Sequence, residues 1–438
     1  PLKTKNIIMT TNFRGAFYLL TSLFFMWGLI TVLVDSLIPR LREVFELTYF
    51  QAGLVQFAFF IAYGLISIPA GALLQRIGYK FGIIVGLGVM GLGCLLFLPA
   101  ASMRLYQLFL LAYFILAAGM CLLQVAANPF VTVLGDPRLA SSRLNLAQAF
   151  NSLCTTIAPA LGAIFILSDS ILPSDEIATL EGLERTAYFA GEASAVQIPF
   201  LVLSLLLFSL ATLVLFSRLP AVLNTAVGVT YTKVFKDRKL MFGALGIFAY
   251  VGAEVSIGSY LINYFIDMDL AERIRTSGSM STIANQIQPN ALSDIDDNGV
   301  VASFVMFYWG GAMVGRFAGT YLTGVFSPNR ILSLFALLAV CFIGLSMLTS
   351  GFVSMWAILA VGLFNSIMFP TIFAISIEDL GEAKPQGSGI LCTAIAGGAF
   401  VPPLYGLLTD LWGFKTAFIL LILCYTYIWF FSKSFWSD

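Results

Sequence analysis

Long apolar runs broken by short polar stretches make up most of this chain. A helix needs about 20 mostly apolar residues to cross the hydrocarbon of a bilayer. Twelve runs reach that length: roughly 16–39, 50–75, 82–101, 105–134, 143–168, 195–218, 240–266, 300–325, 331–350, 353–377, 386–409 and 414–435. They are numbered here as spans one to twelve. Pro129, Pro159, Pro370, Pro402 and Pro403 lie inside them. A helix bundle tolerates such prolines because neighbouring helices re-satisfy the freed backbone. The pattern predicts an all-α membrane protein of twelve transmembrane helices.

Composition agrees. Of 438 residues, 59% are hydrophobic and 11% charged, with mean hydropathy +0.93, whereas soluble domains carry about 25% charged residues. The formal net charge is zero, so no basic field exists to attract nucleic acid. Cys94, Cys121, Cys154, Cys341, Cys392 and Cys424 all fall within apolar runs without a CxxC spacing, which points to neither a disulfide framework nor a zinc site. Histidine is absent, and with it the usual near-neutral proton relay. The segment 1–11 is short, polar and basic. The run after it is too long for a signal-peptide core, so it is read as span one.

Twelve spans put both termini on one side. Fifteen of the 23 Lys and Arg fall on that side and seven on the other, with Arg316 near the inner end of span eight. Basic residues stay inside, so both termini are expected in the cytoplasm of a cell whose inner membrane holds the chain. The stretches 169–192 and 267–299 are outer and acidic, and the sequence leaves open whether they form loops or surface helices. Basic segment 219–239 is the expected linker between halves 1–218 and 240–438.

An internal repeat supports two halves. Leu153–Ala158 of span five reads LCTTIA and Leu391–Ala396 of span eleven reads LCTAIA, 238 residues on. Gln124 precedes Pro129 by five residues and Asn365 precedes Pro370 by five, 241 residues on. Repeats of this kind place the binding site between halves near the midplane.

Polar groups within the runs mark where to look, since an ionisable group in hydrocarbon is retained mainly for function or a structural pair. Asp35 lies in span one and Glu254 in span seven, at corresponding places once the longer loop after span seven is allowed for. Thr31 is one turn before Asp35. For Glu254 the competing reading is an ion pair with Arg316. Ser256, Ser259, Tyr260 and Asn263 share a face roughly opposite Glu254, and Gly252 and Gly258 are candidates to break the helix and bring both sets to one cavity. Span four carries Gln124 and Asn128 one turn apart. Span five carries Asn145, Gln148, Asn151, Ser152, Thr155 and Thr156. Amides and hydroxyls both donate and accept, which suits a neutral polyol. A charged substrate would want a fixed countercharge, and no Lys or Arg is read at the midplane. For any single residue, hydrogen bonding between helices is the competing reading.

Between spans two and three, Gly71-Ala72-Leu73-Leu74-Gln75-Arg76-Ile77-Gly78-Tyr79-Lys80 has the outline GxxxDRxGRK. It resembles the inner-loop signature of the major facilitator superfamily, with Gln75 where Asp is usual. Gly315-Arg316-Phe317-Ala318-Gly319 reads as its faded repeat. Longer strings are more specific: FFMW at Phe24–Trp27, DSLIP at Asp35–Pro39, QVAANPFVTVLG at Gln124–Gly135, RLNLAQAFNS at Arg143–Ser152, YVGAE at Tyr250–Glu254 and FPTIF at Phe369–Phe373. Together they resemble the fucose:galactose:glucose cation symporter family over nearly the whole chain.

That resemblance implies two six-helix bundles and import of a small neutral hexose by cation symport with alternating access. Asp35 inherits the candidacy of the coupling acid, and Gln148 and Asn151 match sugar-facing polar positions of span five. The chain departs from the fucose type at Gln124, where that branch has Glu, and at Glu254, where it has Gln. It looks closer to the glucose/galactose/mannose branch. An amide at 124 cannot titrate, so sodium is expected at Asp35, Thr31, Gln124 and Asn128, which offer oxygen ligands. Proton coupling through Asp35 is the alternative. The expected sugar set is Gln148, Asn151, Glu254, Tyr260, Asn263 and Asn365, and the expected gating set is Gly71, Arg76, Gly78, Lys80 and Arg316. No cofactor besides the coupling ion, no enzymatic nucleophile and no soluble output domain of a sugar-sensing receptor is read. A channel is the remaining reading from another class. The chain is expected to work as a monomer surrounded by lipid.

Overall fold

The structure, a computed structural model, describes the backbone of residues 13–44, 49–165, 182–220, 230–288 and 291–435. All twelve predicted crossings are present as helices. Span one is Phe13–Val44. Spans two and three form one helical stretch, Tyr49–Met103, that turns at Gly78. Tyr106–Val133, Ala140–Phe165 and Gly182–Phe216 complete the first half. The second half has Arg238–Asp267, Asp297–Val325, Pro328–Leu348, a tenth span split into Gly351–Asn365 and Met368–Ile377, an eleventh made of Lys384–Thr393 and Gly397–Trp412, and Phe414–Ser434. In hydrocarbon every backbone group must bond within its own segment, so apolar runs of this length have helix as their open choice.

Some boundaries differ from expectation. Span six is helical from Gly182, thirteen residues before the apolar run begins. The acidic stretch after span seven holds two short helices, Leu270–Thr276 and Gly278–Ile287. Span seven is one unbroken helix, so Gly252 and Gly258 are not hinges. Both instead permit close packing. A Cβ on Gly252 would sit 2.3 Å from a Val401 methyl, and one on Gly258 would sit 2.8 Å from the Trp309 ring.

Gly78 does make a turn, with φ 77° and ψ 168°, a conformation that suits a residue without Cβ. Beyond it, Lys80 Nζ donates to the Leu215 and Ser217 carbonyls at 2.8 and 2.9 Å, closing the end of span six with a cation. Arg143 does the same for span four, donating to the carbonyls of Val131, Thr132 and Asp136.

The two halves touch along the end of the bundle that carries the basic loops, here called the basic face. Spans five and eight pack there, as do spans two and eleven. Ser142 Oγ donates to Thr320 O at 2.7 Å, and Thr371 Oγ1 accepts from Asn145 Nδ2 at 3.2 Å and Ser141 Oγ at 3.4 Å. Gly71 lies so close to span eleven that a Cβ would be 2.6 Å from Pro385 O. Tyr231 of the linker donates to Ile68 O at 2.5 Å, and burial pushes its hydroxyl up to about 12, which keeps it a donor.

Candidate functional site

The polar residues of the spans fall into two groups that differ in how far their hydrogen-bonding capacity is used. In the first half, Gln124 and Asn128 project from span four and Gln148 from span five, all buried. None has a hydrogen-bond partner among the described residues, and Asn128, at 0% exposure, leaves both its amide nitrogen and oxygen unpaired. A buried amide left without partners costs about 1–3 kcal/mol, which marks this surface as built for something that binds. Asn151 differs: its Nδ2 donates one of its two N–H groups to Phe24 O at 2.9 Å. Gly28 makes that contact reachable, because a Cβ there would stand 2.5 Å from Asn151 O. Thr155 and Thr156 both turn back onto Ser152 O at 2.9 Å, so their hydroxyls serve their own helix. Thr31 likewise donates to Trp27 O at 2.9 Å and keeps its oxygen free to accept. Asp35 lies on the span-one helix, but its side chain lies outside the described residues.

In the second half the polar groups are connected to one another, although the Tyr250 hydroxyl, Glu254 Oε1 and Asn365 Oδ1 keep unused capacity. Glu254 faces Arg316, with Oε1 and Nη2 3.8 Å apart and side chains 14% and 16% exposed. Tyr308 donates to Glu254 O at 3.4 Å, and Asn365 Nδ2 donates to the hydroxyls of Tyr308 at 2.7 Å and Tyr425 at 3.5 Å. Asn365 is fully buried inside its own bundle.

The expectation of a midplane without cations is corrected here. Arg316 sits nine residues inside the end of its helix, and its side chain reaches the level of Glu254. Nor does it belong to a loop motif, unlike exposed Arg76. Tyr260 and Asn263 are not brought to Glu254. On an unbroken helix at about 100° per residue, Asn263 points away from Glu254 and is exposed. Tyr260 packs edge-on against Tyr405 at 5.3 Å.

Two acceptors were missed from the sequence, although their signal was there. A proline at position i cannot donate to the carbonyl at i−4. Pro129 thereby frees Val125 O, and Pro370 frees Ser366 O, two carbonyls at repeat-related positions. Ser388 of the opposite half fills the first at 2.8 Å, and Arg316 Nε fills the second at 3.1 Å. Arg316 Nη1 also donates to Ser152 Oγ of span five. One guanidinium therefore joins spans seven, eight and ten of one half to span five of the other.

A twelve-span helical chain with this repeat and this inter-half seam matches a known family. The Major Facilitator Superfamily profile matches residues 16–401. The chain belongs to that superfamily. Within it, the chain falls in the fucose:galactose:glucose symporter family and is a transporter, not an enzyme. It is 46% identical to a glucose/galactose transporter of Brucella abortus, across 96% of this chain and 94% of that one. It is 35% identical to the L-fucose-proton symporter of Escherichia coli, across 95% and 92%. A crystal structure of the facilitator FucP in the outward conformation superposes with TM-score 0.85 at 34% identity, covering 97% of this chain and 100% of that one. In this chain, hydrogen bonds between halves join Ser141, Ser142, Asn145 and Ser152 of span five and Val125 of span four to the second half, between mid-span and the basic face.

Proposed function

We propose that this facilitator imports a neutral hexose of the glucose/galactose/mannose class by cation symport with alternating access. The observation that carries the reading is the trio of buried amides Gln124, Asn128 and Gln148, which make no hydrogen bond among the described residues and of which Asn128 leaves both amide atoms buried and unpaired. Amides offer a donor and an acceptor each, which is what a ring of sugar hydroxyls requires. The mid-span charges among the described residues oppose each other as Glu254 and Arg316, so these two together offer no net charge to favour an ionic substrate. Relatives at 46% and 40% identity are named glucose/galactose transporters, the second as a putative one. On this reading Gln148 and Asn151 contact the sugar from one half and Glu254 from the other. Asn365 holds the second bundle together, and Tyr260 and Asn263 lie apart from the site.

Sodium is the proposed coupling ion. Asp35 would supply the one negative charge, and Thr31, Gln124 and Asn128 neutral oxygens. A proton on Asp35 is the second reading, favoured by the 35%-identical relative, an L-fucose-proton symporter. Halves 1–218 and 240–438 would rock about the linker 219–239 in the inner membrane. The basic face and both termini would be cytoplasmic and the chain monomeric in lipid.

Hexose uptake into proteoliposomes, with sodium and pH gradients imposed separately, tests the proposal. Accumulation driven by inward sodium at fixed pH, and lost in Asp35→Asn, is the expected result. Uptake that ignores sodium and follows the pH gradient would assign the proton. The absence of hexose uptake under any gradient would remove the sugar assignment.

A further inference from the structure

Arg316 has a geometry that its pairing with Glu254 alone does not account for. Nε is held by Ser366 O at 3.1 Å, a carbonyl freed by Pro370, and this fixes the base of the guanidinium within the second half. The two terminal nitrogens then point to different halves. Nη1 donates to Ser152 Oγ of span five, in the first half. Nη2 faces Glu254 Oε1 of span seven, in the second half, at 3.8 Å. That separation is about 1 Å longer than a charge-assisted hydrogen bond. Glu254 Oε1 has no hydrogen-bond partner among the described residues, and the Tyr250 hydroxyl beside Glu254 is likewise unpaired.

We propose that Arg316 is a two-position latch between the halves. With the basic face closed, as here, it reaches across to Ser152. When that face opens, it gives up Ser152 and closes onto Glu254. This rests on the transport reading above, but not on which sugar or ion is carried.

The seam explains why a latch belongs here. The other bonds across it join neutral groups: Ser141 and Asn145 to Thr371, Ser142 to Thr320 O, and Ser388 to Val125 O. Arg316 to Ser152 is the cationic one, and bonds to charged groups are roughly twice as strong as neutral ones. It is also the bond farthest from the basic face on span five, eleven residues beyond Ser141 or about 16 Å along the helix. Near a pivot the halves move little, so the switch must work over a short distance. The shortfall between Nη2 and Oε1 meets that condition. Each end state leaves the guanidinium bonded, so no buried cation is stranded during the exchange.

The two acceptors pull one guanidinium in different directions, Ser152 through Nη1 and Glu254 through Nη2, and this fixes opposite signs for their removal. Ser152→Ala removes the cross-half acceptor and should favour the open basic face. Glu254→Gln weakens the competitor and should favour the closed one. Hydrogen–deuterium exchange of the purified, sugar-free protein reads this without reference to transport, from peptides covering 137–145, 320–328 and 370–384. Where exchange proceeds through opening of the seam, its rate follows the open population. The expected change is about tenfold faster in Ser152→Ala, the equivalent of one charged hydrogen bond, and several-fold slower in Glu254→Gln. Ser152→Thr, which restores a hydroxyl, should return the rate toward that of the parent and separates the latch from a packing defect. Exchange that moves the same way in both variants, or in neither, overturns the latch. Since no sugar is present, that outcome leaves the hexose assignment to be judged by uptake alone.

Discussion

Spans four and five of the first half and spans seven, eight and ten of the second each bury a polar cluster, yet the two are in opposite condition. Gln124, Asn128 and Gln148 have no partners among the described residues. Glu254, Arg316, Tyr308, Asn365 and Tyr425 form a connected set of ion pair and hydrogen bonds, in which Glu254 Oε1, Asn365 Oδ1 and the neighbouring Tyr250 hydroxyl stay unpaired. Buried polar groups are normally satisfied, and exceptions call for an explanation. The first cluster is thus the one prepared for a ligand, and the second is a scaffold with one adjustable member. Asn365 stands five residues before Pro370, as Gln124 stands five before Pro129, but Asn365 is spent on two tyrosines and Gln124 is not.

The comparison breaks most visibly at Arg316. Removing it as Arg316→Met should strand the Glu254 carboxylate, which is 14% exposed. Breaking a buried ion pair by deleting one partner costs about 3–5 kcal/mol. Thermal unfolding in detergent should record a large loss, and the double variant with Glu254→Gln should recover most of it. A double variant no more stable than the single one would mean that the charges do not sense each other.

The paired amides sharpen it further. Asn365→Ala should cost about 1–3 kcal/mol, because the Tyr308 and Tyr425 hydroxyls lose their donor. Asn128→Ala should leave stability unchanged or slightly raised, since it deletes a buried group with no bond to lose, while concentrative uptake falls. Equal destabilisation by both substitutions would show that Asn128 has structural partners after all, and the contrast between halves would go.

Much of the fold was legible because the bilayer leaves a chain few options. Runs of adequate length become helices, and the turn at Gly78 and the break near Pro370 follow from residues that cannot continue one. Side-chain reach was harder. Arg316 was placed near the inner end of its span by its position in the chain, whereas its long side chain carries the charge up to Glu254. Gly252 and Gly258 were weighed as helix breakers, but glycine also admits a neighbour, and Val401 and Trp309 take that space. With the helix intact, Tyr260 and Asn263 remain on the faces that helical periodicity assigned them. The carbonyls of Val125 and Ser366 went unread because attention fell on side chains, although Pro129 and Pro370 announced both.

The smallest expected effect separates two residues that the sequence treated as equals. Gln148 and Asn151 sit three residues apart on span five, and both were read as sugar ligands. Gln148 has no hydrogen bond among the described residues, so Gln148→Ala should remove at least one bond to the sugar and strand a sugar hydroxyl. That is worth about 1–3 kcal/mol, or roughly 5- to 150-fold in apparent sugar affinity. Asn151 has already given one N–H of its amide to Phe24 O, which ties span five to span one. Its oxygen and one N–H are left for a sugar, but the Phe24 bond fixes where they point, and its main contribution is to packing. Asn151→Ala should therefore weaken the sugar by only about fivefold while costing about 0.5–1.5 kcal/mol of stability for the lost bond. Gln148→Ala should show the reverse balance, with affinity impaired and melting nearly unchanged. Sugar titration and thermal unfolding on the same two preparations decide the matter. Should Asn151→Ala impair affinity as severely as Gln148→Ala with no loss of stability, the Phe24 contact would not be what governs Asn151, and the amide would count with Gln124, Asn128 and Gln148 as part of the receptive surface.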